Sequence, residues 1–553
     1  MNKKLVVLMS ILLVLVMVFT GCSSPADKTD DETGDETQNG GTGAKKILRT
    51  NNSSEPGSLD PALAQGTHES WVLENVFEGL MTFNEKGELV EGMAEKYEVS
   101  EDGLTYKFYI REDAKWTNGD PVTAHDFEYS WKRALDPKTA SYYASILYPI
   151  KGAEAFNTGE GSADDVGVKA LDDKTLEVTL ENPTAYFLEL TAFYTYFPVN
   201  KNVVESNPDW AKDPSTYVSN GPFKLVEWKH NDQIVLEKNE NYYNADKIKL
   251  DGIDFDIIED QNTAWQKYEG GEYDILVDVP TSVVAQLRAQ NDPQLNIGFQ
   301  VGTYYYNVNP KFKPFNNVKV RKALSMALDR EVITEKITQG GQIPAYGVVP
   351  PGMEDENGKD FREVQGDLFK YDPEAAKKLF EEGLKEEGMT VEDFNKQKFV
   401  LLFNTSESHK KIAQAAQEMW RNNLGIEIGL ENVEFQVKLD REKAGDYHIS
   451  RAGWIGDFMD PITFLDLWWS KSEFNDVKYN NPEYDKLIET AKKSNDQATR
   501  MKALKEAEKM LMEDMAVIPV YFYTQPYTVK SNVKGIIKVP VRYPIITYAE
   551  ITD

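Results

Sequence analysis

One cysteine stands in the 553 residues of this chain, and it is Cys22. No intramolecular disulfide can form, and no thiolate set can hold zinc or an iron–sulfur cluster. Packing, hydrogen bonds and ion pairs must therefore hold the fold together. The material is there: 41% of residues are hydrophobic and 11% aromatic, with 10 Trp, 28 Tyr and 25 Phe. That composition belongs to packed domains rather than to a disordered chain. At about 150 residues per unit the length allows roughly three to four domain-sized units. A formal net charge of −30 argues against nucleic acid as a partner, since phosphates demand clustered Lys and Arg, and against docking on anionic lipid through a basic patch.

The cysteine sits where processing chemistry would use it. Lys3 and Lys4 precede Leu5 to Phe19, an apolar run interrupted only by Ser10. The run falls short of the roughly 18–20 apolar residues of a membrane span and suits the core of a secretory signal. Phe19-Thr20-Gly21-Cys22 resembles a bacterial lipobox, with Phe19 where leucine is usual. Residues 1–21 then read as a lipoprotein signal peptide, with Cys22 as the lipid-modified mature N-terminus. Residues 22–46, rich in Ser, Thr, Gly, Asp and Glu and free of aromatics, read as an acidic flexible tether. The expected location is the extracellular face of a bacterial cytoplasmic membrane.

From Lys46 onward strand and helix patterns mix, which predicts an α/β body of several lobes. Ile47–Thr50, Leu104–Ile110, Leu176–Leu180, the pairs Phe223/Leu225 and Ile234/Leu236, and Ile253–Ile257 alternate as strands do. His68–Leu80 carries apolar residues at helical spacing, and Thr123–Asp126 forms a capping box opening a helix through Trp131. Further on, Val318–Leu328, Glu374–Leu384 behind Asp372-Pro373, His409–Leu424 ended by Gly425, Tyr484–Lys493 and Gln497–Met512 predict helices. Phe399–Phe403 and Ile426–Leu430 predict strands.

Catalytic signatures are missing. There is no P-loop, no G-x-S-x-G and no dinucleotide fingerprint. His68, His125, His230, His409 and His448 are scattered without metal-ligand spacing, so neither a metal nor a cofactor is expected. Weight shifts from an enzyme to a binding protein. One segment stands out, Ser450 to Pro461, where small residues flank Trp454, as where a backbone or ligand approaches closely, between Arg451 and Asp457. On an extended chain, at about 3.3 Å per residue, those charges share a face yet lie too far apart to pair. They could clamp a short zwitterion such as a free peptide, or be two unrelated charges of a surface loop.

Several ordered segments resemble the extracellular oligopeptide-binding proteins of ABC importers, in the peptide/nickel solute-binding family. They include Asn51–Pro61, Ala114–Phe127, Asn220–Leu225, Asn239–Tyr243, Thr303–Tyr306, Val320–Leu324 and Arg451-Ala-Gly453-Trp454. The similarity runs from about Leu48 to Ile551. It implies a bilobal, periplasmic-binding-protein-like type II fold with an additional inserted domain, three domains in all. Domain I would take residues 47–67, 198–301 and 525–553, domain II 68–197, and domain III 302–524.

The resemblance also implies roles. Asp457 would bind a peptide's α-ammonium, and Arg451 and His409 would meet the C-terminal carboxylate of short ligands. Glu55, Tyr305, Trp454 and Tyr523 would line the cleft, with Gly453 in the same motif as Trp454. The partners would be oligopeptides and the permease subunits of an ABC transporter, met by a monomer. The sequence departs from enteric relatives at Gly302 and Ile455, which align with two cysteines, and at Asn307, which replaces an acid. Thr338 replaces a cleft lysine and Phe435 a pocket tryptophan. Other readings are the same fold with a nickel chelate, an oligosaccharide or a signalling peptide as ligand, and a surface hydrolase.

Overall fold

The computed structural model describes residues 44–552. The signal sequence, Cys22 and nearly all of the tether lie outside the described residues. Among the described residues no helix is long and apolar enough to cross a membrane.

Residues 45–552 form one compact unit containing three principal sheets. In the first, Ile47–Asn51 runs parallel to Gly252–Asp256, which pairs antiparallel with Gln233–Lys238, itself paired to Phe223–Lys229. The second is an antiparallel sheet of Ala94–Val99, Thr105–Ile110, Thr175–Thr179 and Val168–Ala170. The helix Ala124–Leu135 starts at the expected capping box, and it buries Phe127 and Trp131. Trp116 and Trp131 are fully buried, and the indole of Trp131 donates to the Tyr196 carbonyl at 2.8 Å.

The third sheet positions the site. Its order is Ile275–Leu276, Val517–Val529, Leu295–Val308, Ile449–Ile455, Val400–Asn404, Gly429–Val433. Two long antiparallel strands, 295–308 and 517–529, pair from Leu295↔Thr528 to Asn307↔Val517, with irregularities beside Thr303 and Tyr305. The two-residue strand period sorts the tyrosine run. Tyr304 and Tyr306 enter one core with Trp420, whereas Tyr305 joins the other and meets Trp468 edge-on at 5.6 Å.

Two predicted boundaries moved for steric reasons. The helix expected over 68–80 spans Thr67–Val76, because the following backbone packs too closely to continue. A Cβ on Gly221 would lie 2.5 Å from the Val76 carbonyl carbon, and one on Gly79 would meet the Thr191 carbonyl oxygen. The strand expected over 426–430 begins at Gly429, where parallel pairing with Val400 starts, although Ile426 and Ile428 are already buried.

The turn after strand 449–455 is fixed by a buried ion pair. Arg500 forks onto Asp460 through Nη1–Oδ2 at 2.7 Å and Nη2–Oδ1 at 2.6 Å. Asp460 Oδ1 also accepts from the Ile462 amide, and the Thr463 hydroxyl accepts from the Asp457 amide at 3.1 Å. Breaking such a pair leaves a desolvated charge. Arg500→Leu is expected to lower unfolding stability by about 3–5 kcal/mol in urea titration. A loss below about 1 kcal/mol would mean the pair does not hold this turn.

Candidate functional site

Strand 449–455 is paired along its whole length with residues 302–308 on one side. On the other it meets strand 400–404 only at Ile449 and Ser450. From Arg451 to Ile455 that second edge is unpaired among the described strands, and those residues line a cavity of about 350 Å³. Such a volume lies in the usual range of ligand sites. One wall takes residues before 290, including Ser53, Thr67, Tyr143 and Asp278, together with Val541–Tyr543, where Arg542 pairs with Glu74; the other takes residues 404–476, including His409, Arg451 and Asp457.

At one end sits Asp457. The Tyr143 hydroxyl donates to Oδ1 at 3.4 Å. Burial, followed by the neighbouring Asp466, pushes the Asp457 carboxyl well above the usual carboxylate range, and only the Tyr143 hydrogen bond opposes the shift. No ion pair among the described residues engages it. A desolvated carboxylate without a cation is a receptor for one. Around it stands an aromatic wall: Tyr143 lies 6.1 Å from Trp454 in a stacked arrangement, and Phe474 packs on both at 4.7 and 4.8 Å.

The other charge is Arg451. Its guanidinium donates to Tyr523 Oη at 2.8 Å and to Asn404 Oδ1 at 3.3 Å, and lies 4.8 Å from the Tyr304 ring centre. These contacts are all with neutral groups, and Nε is buried without a partner. Gly453 makes room for this arrangement, because a Cβ there would stand closer to Tyr523 Oη than any real contact allows. His409 lies in the first turn of the helix Glu407–Leu424, where its amide donates to the Ser406 cap. Burial, Arg451 and Lys438 hold its imidazole well below the ordinary value, so it is neutral, and its buried Nδ1 has no partner.

Seven of the residues singled out from sequence thus line one cavity: Asp457, Arg451, Trp454, His409, Tyr305, Tyr523 and Gly453. Glu55 does not join them. Its carboxylate accepts from Trp228 Nε1, from the Asn231 amide and from the His230 ring at 2.6 Å, which turns it to the side of the first sheet. Gly302 and Ile455 face each other directly across the strand pair, unbridged. Thr338 and Phe435 line the cavity as well.

Sequence reasoning passed over the helix Phe435–Ala444, which brings Lys438 and Glu442 to the cavity. That helix has no clear apolar stripe. The one available signal was the i,i+4 spacing of a Lys and a Glu, and the two form a buried ion pair at 2.5 Å. Tyr143 and Asp476 carried no signal either, because only the third dimension brings them to the cavity.

The two walls touch. Lys443 Nζ donates to Gln65 Oε1 at 2.7 Å and lies 3.3 Å from the Tyr142 ring centre. Gln261 Oε1 accepts from the Ser408 amide at 3.0 Å, and Glu189 Oε2 accepts from the Met459 amide at 2.9 Å.

Residues 88–476 match the model of the bacterial extracellular solute-binding proteins, family 5. The chain is 45% identical over 543 residues to the oligopeptide-binding protein OppA of Bacillus subtilis, covering 97% of both chains. Among solved structures it matches Haemophilus influenzae OppA in complex with RPPGFSPFR at a TM-score of 0.85 and 36% identity, covering 92% of this chain and 100% of that one. It also matches an unliganded open form of the murein tripeptide-binding protein MppA at the same 36% identity, covering 92% and 98%, but with a TM-score of 0.61. Equal identity with unequal superposition separates conformation from divergence: the two walls stand as in the complex and not as in the open form. The architecture is the bilobal type II binding-protein fold.

The raised Asp457 carboxyl gives a stability prediction. Its pKa is higher folded than unfolded, so the folded state binds more protons, and the ionised group costs stability as pH rises through the raised value. Asp457→Asn is therefore expected to melt above the parent protein at neutral pH, with the gap closing as pH falls towards about 4. A gap that stays constant with pH would contradict the assignment.

Proposed function

The chain belongs to family 5 of the bacterial extracellular solute-binding proteins, and from that premise we propose that it captures short extended oligopeptides between its two walls and delivers them to an ABC permease. It is a binding protein of that family rather than an enzyme. The observation that carries the reading is the pairing of a free strand edge, residues 451–455, with an uncompensated carboxylate at 457 and a guanidinium at 451.

The mechanism follows from those three features. A peptide adds as a further strand along the open edge, through backbone bonds that are indifferent to its side chains. Its α-ammonium meets Asp457. For short ligands the terminal carboxylate meets Arg451, with Tyr523 holding the guanidinium and neutral His409 offering a ring nitrogen. Trp454 and Tyr305 supply apolar walls, and water adapts the remaining space to each side chain. Closure then buries the ammonium with its partner, and losing either charge costs about 3–5 kcal/mol because the other stays desolvated. The closed form is the one that the permease recognises, which couples capture to transport.

Three further parts complete the proposal. Residues 47–67, 198–301 and 525–553 form domain I, 68–197 domain II and 302–524 domain III. Cys22 carries lipid, and residues 22–46 tether the monomeric body to the outer face of the cytoplasmic membrane. Cys22→Ala is expected to move the protein from the membrane fraction to the medium, read by fractionation.

Calorimetry with tri- to pentapeptides tests the ligand class. N-acetylation of the best ligand is expected to weaken binding at least a hundredfold, about 2.7 kcal/mol. Unchanged affinity removes Asp457 from its role. Native mass spectrometry of the purified protein is expected to show peptide, recovered uncut after prolonged incubation; a sugar or a metal chelate would redirect the assignment of cargo.

A further inference from the structure

Six carboxylates but four cations line the cavity. Two of the pairs are internal: Arg542 meets Glu74 at 3.1 Å, and Lys438 meets Glu442. A zwitterionic ligand held as proposed would neutralise Asp457 with its ammonium and Arg451 with its carboxylate. Glu259, Asp278 and Asp476 then face a single remaining cation, Lys443, which is already engaged by Gln65 and the Tyr142 ring. The closed cavity carries a surplus of negative charge that a neutral peptide leaves unanswered.

Asp476 lines the cavity with a carboxylate that no cation among the described residues pairs. Its Oδ1 is shielded from bulk solvent and has no hydrogen-bond partner, and its backbone carbonyl is used by Tyr447 at 3.0 Å. The groups around it are Glu442, Lys438, Lys478 and Lys443, none of them within ion-pair distance. Burial, and then Glu442, push its carboxyl up to about 7, against the opposing pull of those lysines. In the same cavity, Trp454 Nε1 also lacks a partner, and Tyr305 is only 7% exposed. Asn307, which stands where the resembling relatives have an acid, reaches Glu442 at 3.5 Å, so in this chain the acid is on the facing helix. The ammonium end of the cavity adjoins this pocket, because Phe474, two residues before Asp476, packs on Tyr143 and Trp454.

We propose that Asp476, backed by Glu442 and walled by Trp454, Phe474 and Tyr305, forms a subsite for a cationic side chain, so that the protein selects peptides with Lys or Arg in their amino-terminal half. The inference rests on the peptide-binding reading and deepens it. A lysine or arginine side chain would bring donors to the Asp476 carboxylate and lay its methylenes on the aromatic wall. An acidic side chain in the same place would meet two carboxylates.

The test compares tri-alanine with peptides that carry Lys, norleucine or Glu at position one, two or three, by calorimetry on the full mature chain. At one or more positions Lys is expected to bind at least tenfold tighter than norleucine, and Glu weaker than both. Asp476→Asn is expected to reduce the Lys-to-norleucine ratio to within threefold, and Asp476→Glu to restore most of it. Ratios within threefold at every position in the parent protein, or a ratio that survives Asp476→Asn, would overturn the subsite while leaving the peptide receptor standing. No binding by any peptide would overturn both.

Discussion

A strand paired on one edge and left open on the other organises this molecule. Residues 451–455 hydrogen-bond to 302–308 and present their second edge to the cavity. A free edge inside a protein is a standing demand for backbone partners. Everything around it answers to that demand. Asn404 holds Arg451 where strand 400–404 ends, Gly453 keeps space for Tyr523, and the Arg500–Asp460 fork sets the turn that carries Asp457.

The charges at the two ends of this edge are unequal in kind. Arg451 is solvated by neutral hydroxyl, amide and aromatic partners, so it stays charged and ready. Asp457 is held against its preference, with burial raising its carboxyl and no cation to offset the cost. That destabilisation is what a ligand ammonium would relieve. The contacts Lys443–Gln65 and Ser408–Gln261 across the mouth fasten the closed arrangement.

Much of the scaffold was legible in the sequence, because local periodicity and capping agree with the tertiary fold. The capping box at Thr123, the Asp372-Pro373 start and the Gly425 stop all occupy the predicted positions. Where the reading slipped, long-range packing decided: close approaches at Gly79 and Gly221 end a helix early, and parallel pairing delays a strand to Gly429. At the site, Arg451, Gly453, Trp454 and Asp457 were legible because they fall within seven residues that resemble a family motif. Tyr143, Lys438 and Asp476 were not, since they converge from separate elements without periodicity. Glu55 looked equivalent in sequence, but Trp228 and His230 claim its carboxylate.

The most direct measurement of the central claim is the titration of the Asp457 carboxyl carbon by NMR, with and without a saturating tripeptide, assigned by Asp457→Asn. The account predicts that the midpoint falls below the ordinary carboxylate range when a free-amine peptide binds and lies higher without it. A midpoint that does not move on binding, or that rises, would contradict it.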